Sequence, residues 1–316
     1  MQSASQPLVE TGSLPMQRIH VKQVDTFTTV PNTGNPAGVV FDGKELTEHQ
    51  MKAIARELNL TETAFVFPAT KREADLRMRF FSALGEVPPS GHATIGVFHA
   101  MAEQEKLGME KDGRYTFRLE TNIGLMPIDV TKDQKNSSVM IGLRIPAFEK
   151  VTHYKVDLLR VLDLRPAEFE GKFPITRGDI LFVPIKRLHT LFTLRPNYLA
   201  MAHFLEQKQL RGMSLFTTET IDRESIVHSR FFAPHLGVNE DPVTAIAQAQ
   251  LSVCLFDFGV LDLRDGRCVY QGEQGDAMGR RGRVSIELNV DDQKPVSVKV
   301  GGSAVTILEG EMLIQE

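Results

Sequence analysis

Three ionisable residues at the predicted ends of helices could carry proton-transfer chemistry. Glu62 follows an amphipathic helix, His92 lies in the first turn of an apolar helix, and Asp241 precedes a second apolar helix. Carboxylates and imidazoles take up and release protons near neutral pH when burial or neighbouring charges shift their pKa. The sequence therefore points to acid and base catalysis on a small molecule.

Two apolar segments predict the helices that position these residues. Residues 91–102 carry no charge anywhere around the helical wheel, and the segment from Asp241 to Phe256 has the same character. Asp241 is the expected N-cap of the second helix, with Pro242 at its first position. Helices that are apolar on all sides must be buried. An Arg-Phe-Phe triplet precedes each helix, at 79–81 and 230–232, which predicts an internal duplication.

Shorter patterns surround these helices. Thr47–Gln50 reads as a capping box before an amphipathic helix, and alternating or short apolar runs predict many strands, Leu191–Leu194 among them. We therefore predict an α/β chain of the α+β type, in which two pseudo-symmetric lobes each wrap a curved, mostly antiparallel sheet around a central buried helix.

The predicted domain organisation has its active site in the cleft between the lobes. The divisions are a disordered lead-in at 1–17, an N-terminal lobe at 18–130 that 304–316 would complete, and a C-terminal lobe at 131–303. The N-termini of two central helices facing one cleft would present backbone N–H groups without intrahelical partners. Such donors favour an anion, so a small carboxylate is the expected ligand.

Composition excludes several other functions. The formal net charge of −4 gives no electrostatic footprint for nucleic acid, and no apolar run is long enough to span a membrane. Cysteine is too scarce for a disulfide framework, and the histidines lack metal-ligand spacing, so we predict a cytoplasmic protein without metal. The arginine-rich run 279–283 is most simply a solvated turn.

A family resemblance adds to this interpretation. The resemblance spans residues 18–310, and its motifs occur in order: VDTF at 24–27, GNPA at 34–37, NLTETAF at 59–65, EVP at 86–88, GHAT at 91–94, EDPVT at 240–244, QG at 274–275, MGR at 278–280 and VGGSAV at 300–305. Together they resemble the PhzF-like family of phenazine biosynthesis. The resemblance implies the diaminopimelate epimerase fold.

The resemblance also implies an activity and a site. The type member is a cofactor-independent isomerase that moves a proton within trans-2,3-dihydro-3-hydroxyanthranilate, and its acid/base glutamate matches Glu62. His92 and Asp241 would assist proton movement. Further residues would contact a small carboxylate substrate, namely Asn35, Thr61, Gly91, Ala93, Thr244, Ala245 and Ile246. The resemblance implies that the protein needs no cofactor. It also implies that the protein forms a homodimer.

Racemases of the same fold use one thiol at the start of each central helix. The corresponding positions here hold Ser90 and Thr244, whereas Cys254 and Cys268 lie in the second helix and in a predicted strand. A hydroxyl has no pKa suited to that role, so two-thiol racemisation is excluded.

One departure from the family leaves an alternative open. The family usually continues Asp-Pro-x-Thr with Gly-Ser-Ala, but this chain has Ala245, Ile246 and Ala247 there. Ile246 replaces a hydroxyl by a bulky apolar side chain where the family contacts its substrate. A ligand-binding or interaction protein that keeps the fold without turnover is therefore the second hypothesis.

Overall fold

The structure is a computed structural model that describes residues 16–134, 136–151 and 154–315. It is a mixed fold of helices and strands. The helices within these ranges are α1 Glu48–Leu58, α2 Gly91–Glu103, α3 Lys155–Leu162, α4 Leu188–Thr193, α5 Tyr198–Gln207 and α6 Ala245–Asp257. The strands of the first half are β1 Met16–Thr26, β2 Asn35–Val40, β3 Thr63–Phe67, β4 Leu76–Ser82, β5 Gly85–Val87, β6 Gly113–Thr121, β7 Gly124–Lys132 and β8 Ser137–Leu143. Those of the second half are β9 Glu149–Lys150, β10 Thr176–Arg177, β11 Ile180–Pro184, β12 Gly212–Thr217, β13 Ser225–Ala233, β14 Val238–Asp241, β15 Arg267–Gln274, β16 Gly282–Asp291 and β17 Lys294–Gln315.

The sheet of the first half closes on itself around α2. Hydrogen-bonded neighbours run β1, β2, β3, β4, β6, β7 and β8. The long strand β17 closes the ring, because residues 304–315 pair with β1 and residues 298–303 pair with β8. The last strand of the chain is therefore part of the first sheet.

The second half repeats this topology around α6. Its strands run from β9 through β10, β11, β12, β13, β15 and β16 to the start of β17. The parallel pairs β2–β3 and β4–β6 have counterparts in β11–β12 and β13–β15, and the remaining pairs are antiparallel in both halves. The two Arg-Phe-Phe triplets lie on the equivalent strands β4 and β13. The predicted fold class and internal duplication are confirmed.

Both central helices are buried around their circumference, as predicted. Every residue of α2 from His92 to Ala102 is buried, and so is every residue of α6 from Ala247 to Leu255. Apolar residues of the two helices belong to one continuous core cluster. A buried helix has few alternative positions, so each of the two holds its N-terminus in a fixed place.

Local signals define the shorter helix α1. Thr47 caps it, and the reciprocal bonds between Thr47 and Gln50 form the predicted capping box. The chain leaves α1 through Asn59 in a left-handed conformation with φ of 51°. This turn directs the next residues, which include Glu62, back towards β3.

Three sequence-based expectations need correction or comment. The second central helix begins at Ala245 with Thr244 as N-cap, because Asp241 still pairs with Phe231 as the last residue of β14. The predicted strand 191–194 forms the end of helix α4 and its C-cap Leu194, since apolar residues three apart also fit one face of a helix. Strand β1 begins at Met16, inside the predicted lead-in, and residues 1–15 lie outside the described residues.

Within the described ranges, no helix has the length and apolar character that a membrane span requires.

Candidate active site

Glu62 occupies the short link between α1 and β3. Its carbonyl accepts a hydrogen bond from the Gly38 N–H at 3.1 Å, which fixes the backbone against β2. Its carboxyl group accepts a hydrogen bond from the Ser90 hydroxyl at 3.4 Å. The side chain is 22% exposed, so the group is largely removed from water and still open to a ligand.

Ser90 and His92 bring the start of α2 to this carboxyl group. Ser90 is the N-cap of α2, and its hydroxyl oxygen accepts a hydrogen bond from the Ala93 N–H at 3.4 Å. The same hydroxyl lies 3.2 Å from His92 Nδ1, while His92 Nε2 lies 3.2 Å from Glu62 Oε2. Glu62, Ser90 and His92 thus form one cluster at the N-terminus of α2.

Asp241 belongs to a second cluster at the start of α6. One of its carboxylate oxygens accepts a hydrogen bond from Asn35 Nδ2 at 2.8 Å, and the other accepts one from the Thr244 hydroxyl at 2.5 Å. Asn35 also donates to the Val243 carbonyl at 2.8 Å. Because Asn35 begins β2, these bonds join the two halves of the molecule across the site.

The two helix N-termini meet where these clusters adjoin. A Cβ atom on Gly91 would lie 2.6 Å from the Ala245 Cβ, so the first residues of α2 and α6 are in contact and leave no room for a side chain at position 91. Ala245 itself is buried. The predicted convergence of two helix N-termini is therefore present in the structure.

Several backbone N–H groups at these termini are unpaired. No described residue accepts a hydrogen bond from the N–H of Gly91 or His92 in α2, or from that of Ala245, Ile246 or Ala247 in α6. Such groups, together with the positive ends of two helix dipoles, favour an anionic ligand. A carboxylate fits this arrangement.

Buried amide side chains form hydrogen bonds with the residues at the N-terminus of α6. Gln274 Nε2 donates to the Asp241 carbonyl at 3.0 Å and to the Thr244 hydroxyl at 3.1 Å, while its Oε1 accepts from the Thr244 N–H at 3.3 Å. Gln248 and Ser229 extend this network beneath α6. These bonds hold Thr244 and Asp241 in one conformation.

Burial shifts the pKa of each ionisable group in the site. Desolvation and the nearby Asp241 charge raise the pKa of Glu62 to about 8. Desolvation raises the pKa of Asp241 to about 6, against hydrogen bonds from Thr244 and Asn35 that lower it. Desolvation lowers the pKa of His92 to about 4. At neutral pH the contact between His92 and Glu62 is thus mainly one between an uncharged imidazole and a protonated carboxyl group.

These shifts predict how the stability of the protein depends on pH. The ordinary pKa of Glu62 is 4.5 and its folded-state pKa is about 8, so folding favours the protonated carboxyl group. This contribution to stability is complete below about pH 4.5 and is lost as pH rises through about 8. As pH increases from 5 to 8, the free energy of unfolding of Glu62→Gln should therefore rise relative to that of the parent, by up to about 1.4 kcal/mol per pH unit. Urea denaturation at several pH values measures the difference.

The matched control for this measurement is Glu57→Gln, because Glu57 is 67% exposed near the end of α1. Its stability difference from the parent should stay nearly constant between pH 5 and 8. The same constancy in Glu62→Gln would show that the Glu62 carboxyl group titrates normally in the folded protein.

Arg280 is a residue that the sequence interpretation missed. The run 279–283 was expected to be a solvated turn, but the Arg280 guanidinium pairs with buried Asp25 at 2.8 Å. It also donates to the carbonyls of Gly34 at 2.8 Å and Thr33 at 3.0 Å. These bonds fix the loop that leads into Asn35. The sequence alone could not predict this role of Arg280, because it does not show that the buried carboxylate of Asp25 on β1 lies beside the run.

The remaining predicted contact residues lie around the same point. Thr61 precedes Glu62 and is partly buried, and Ile246 is partly exposed in the first turn of α6. The sequence analysis named Ser90 only as the residue at the position of a racemase thiol and gave it no role, although its hydroxyl contacts both Glu62 and His92. Its position directly before an apolar helix is an N-cap signal that could have identified it.

The cysteines occupy the predicted elements, α6 for Cys254 and β15 for Cys268, and both are buried. Burial raises the pKa of both thiols. Neither thiol stands where a paired-thiol racemase has its bases. Within the described ranges, no group of three or more His, Cys, Asp or Glu side chains is placed to hold a metal ion.

Comparison with known proteins identifies the family. The pattern of the phenazine biosynthesis-like proteins, PhzC-PhzF, matches residues 24–310, and the chain belongs to this family. An uncharacterized isomerase of Clostridium acetobutylicum is 33% identical over 95% of this chain and 99% of its own length. The trans-2,3-dihydro-3-hydroxyanthranilate isomerase of Pseudomonas chlororaphis is 28% identical over 93% of this chain and 99% of its own length.

Solved structures agree with this placement. The PhzF-family phenazine biosynthesis protein of Bacillus anthracis superposes with a TM-score of 0.84 at 29% identity, covering 94% of this chain and 100% of its own. A hydroxyproline epimerase of Agrobacterium vitis shares the fold, with a TM-score of 0.59 at 12% identity over 95% of this chain and 93% of its own. The fold is therefore that of PhzF proteins and of the proline epimerases.

Proposed function

We propose that this protein is a cofactor-independent isomerase that moves a proton within a small carboxylate-bearing amino or hydroxy compound. Glu62 is its general acid and base. The observation that carries this proposal is the position of Glu62, whose largely buried carboxyl group lies 3.2 Å from His92 Nε2 beside the N-terminus of α2. Desolvation in this position raises the pKa of Glu62 to about 8. A carboxylate with that pKa is a far stronger base than an ordinary glutamate, and its conjugate acid still returns the proton readily.

Each group at the site has a role in binding or in proton movement. The unpaired N–H groups of α2 and α6 hold the substrate carboxylate. Asp241, with a pKa of about 6, is mostly ionised at pH 7 and orients an amine or hydroxyl of the substrate. His92 is uncharged and exchanges a proton with a substrate oxygen or nitrogen. Asn35 and Thr244 keep the Asp241 carboxylate in place.

The proton moves in two steps through one side chain. Ionised Glu62, about one tenth of the molecules at pH 7 for a pKa of about 8, takes the proton from one substrate carbon. The resulting carboxylic acid delivers that proton to another carbon of the same conjugated system. The net change is an isomerisation in which the protein ends in its starting protonation state.

Proton–deuterium exchange followed by NMR in D2O tests the proposal. The full chain is incubated with a panel of small carboxylates. The panel includes trans-2,3-dihydro-3-hydroxyanthranilate, the compound that appears in the name of the Pseudomonas isomerase. We expect deuterium at a carbon next to an unsaturated or carbonyl group, at a rate that rises with pH and levels off near pH 8. Ligand line broadening reports binding independently.

A second candidate function is a non-catalytic ligand-binding or interaction protein on the same fold. Two observations favour it: Ala245 fills the space against Gly91, and Ile246 presents an apolar side chain at the start of α6. Line broadening without exchange for every compound that binds would establish this alternative and refute catalysis.

The resemblance supports a homodimer, and the scarcity of cysteine supports a cytoplasmic location. We include both in the proposal, together with two lobes whose boundary follows β8, because β8 pairs with β7 in the first sheet. The mass of the protein in solution tests the dimer. A monomeric mass at concentrations that support activity would reject it.

A further inference from the structure

A cavity of about 590 Å³ lies at the opposite end of α2 from the site described above. His99 and Glu103, in the C-terminal half of α2, line it, and Ser137 at the start of β8 faces them. His92 and His99 are seven residues apart, or about 10 Å along the helix axis at 1.5 Å per residue. The proton-transfer site and this cavity are therefore separate.

Three side chains that line this cavity lie next to one another in the order serine, histidine, glutamate. His99 Nδ1 lies 2.7 Å from the Ser137 hydroxyl oxygen, and His99 Nε2 lies 3.1 Å from Glu103 Oε1. Ser137 and His99 are each 5% exposed, so both are held by packing. The contact between His99 Nε2 and Glu103 meets the distance of an ion pair but not the geometry of a hydrogen bond. A hydroxyl, an imidazole and a carboxylate placed in this order are the arrangement that activates a serine nucleophile, and such contacts often tighten only when a ligand binds.

The charge on Glu103 determines where the imidazole carries its proton. Desolvation raises the pKa of Glu103, but the contacts with His99 and Thr306 outweigh this effect and lower it overall. The Thr306 hydroxyl donates to the second carboxylate oxygen at 2.6 Å. An ionised Glu103 favours the tautomer with the proton on His99 Nε2. That tautomer leaves Nδ1 free to accept the Ser137 hydroxyl proton.

Lys22 gives the cavity a buried positive charge. Its side chain is 4% exposed, and its Nζ lies 3.1 Å from Glu309 and 3.7 Å from Glu103. Lys132 and the amide-bearing residues Gln134 and Asn136 also line the cavity. A lining of this kind favours a small polar acyl group over a long hydrocarbon chain.

We propose that Ser137, His99 and Glu103 form a second reactive site, which cleaves small polar carboxylic esters. The Ser137 oxygen forms a bond to the ester carbonyl carbon while its proton passes to His99 Nδ1. The carbon–oxygen bond to the alcohol then breaks, and the departing alcohol takes that proton. Water attacks the acyl-serine in the same way, His99 returns a proton to the Ser137 oxygen, and the carboxylic acid leaves. Ester and water are the only reactants.

Covalent labelling of the full chain by a small fluorophosphonate tests this proposal. We expect a single adduct, located at Ser137 by peptide mass spectrometry, and hydrolysis of p-nitrophenyl acetate at the same site. Ser137→Ala should abolish both the adduct and the hydrolysis. Glu103→Gln should slow labelling at least tenfold, because the imidazole loses the charge that fixes its tautomer.

Two controls separate this site from its surroundings. Ser138, the adjacent residue of β8, is partly exposed, and Ser138→Ala should label at the parental rate. Glu62→Gln should also label normally, so the two sites can fail independently. No adduct on the parent, an adduct at another residue, or equal ester hydrolysis by the parent and Ser137→Ala would overturn the proposal. Mapping the adduct on the parent keeps the test valid even if Ser137→Ala does not fold.

Discussion

Glu62→Gln should lose proton–deuterium exchange by about 10²- to 10⁴-fold while ligand affinity changes only a few-fold. Glutamine has nearly the same shape, and its carbonyl oxygen can still accept the hydrogen bond that Ser90 donates at 3.4 Å. It has no proton that leaves or returns near neutral pH. The proton step is lost and the contacts that hold the substrate carboxylate remain. Exchange rates and ligand line broadening, measured on the same samples, separate the two effects.

Glu57→Gln is the matched control for this prediction, because it makes the same chemical change on an exposed part of α1, five residues before Glu62. Its exchange rate should equal that of the parent. If Glu62→Gln exchanges normally and Asp241→Asn does not, the acid/base role belongs to Asp241. If both variants exchange normally, neither carboxylate carries the proton.

The elements that position the site could be predicted where local chemistry determines them. The uncharged segment that became α2, the capping box of α1 and the alternation that became β4 each reflect a periodicity or a cap that is complete within a few residues. The placement of Glu62 after α1 followed from them. The repeated Arg-Phe-Phe triplet also predicted a duplication, since equivalent strands need equivalent packing.

The parts that the sequence did not predict depend on partners distant in the chain. Asp241 was expected to cap α6, but its carboxylate accepts from Asn35, 206 residues away, and the helix starts after Thr244 instead. Arg280 was read as solvated although its partner Asp25 lies 255 residues away. No local pattern contains these pairs. They arise only when the two halves pack together.

Gly91→Ala should reduce exchange by about 10- to 100-fold, a larger effect on activity than on folding. The new Cβ would lie 2.6 Å from the Ala245 Cβ and 3.0 Å from Ile141, so the N-termini of α2 and α6 must move apart. Overpacking of this kind costs about 1–3 kcal/mol of folding stability. A displacement of about 1 Å in the groups that position a substrate can cost about 100-fold in rate. Exchange rates and thermal unfolding, measured together, test both parts of the prediction.

The second substitution Ala245→Gly gives this prediction its control, because it removes the methyl group against which the new side chain collides. The double variant Gly91→Ala with Ala245→Gly should recover most of the lost exchange, leaving only the milder contact with Ile141. The double variant would also restore the residue that the family usually has at position 245, which is glycine. Recovery would show that the spacing between the two helix N-termini sets the geometry of the site. Equal loss in the single and double variants would show that the contact with Ile141, and not the spacing from α6, causes the effect.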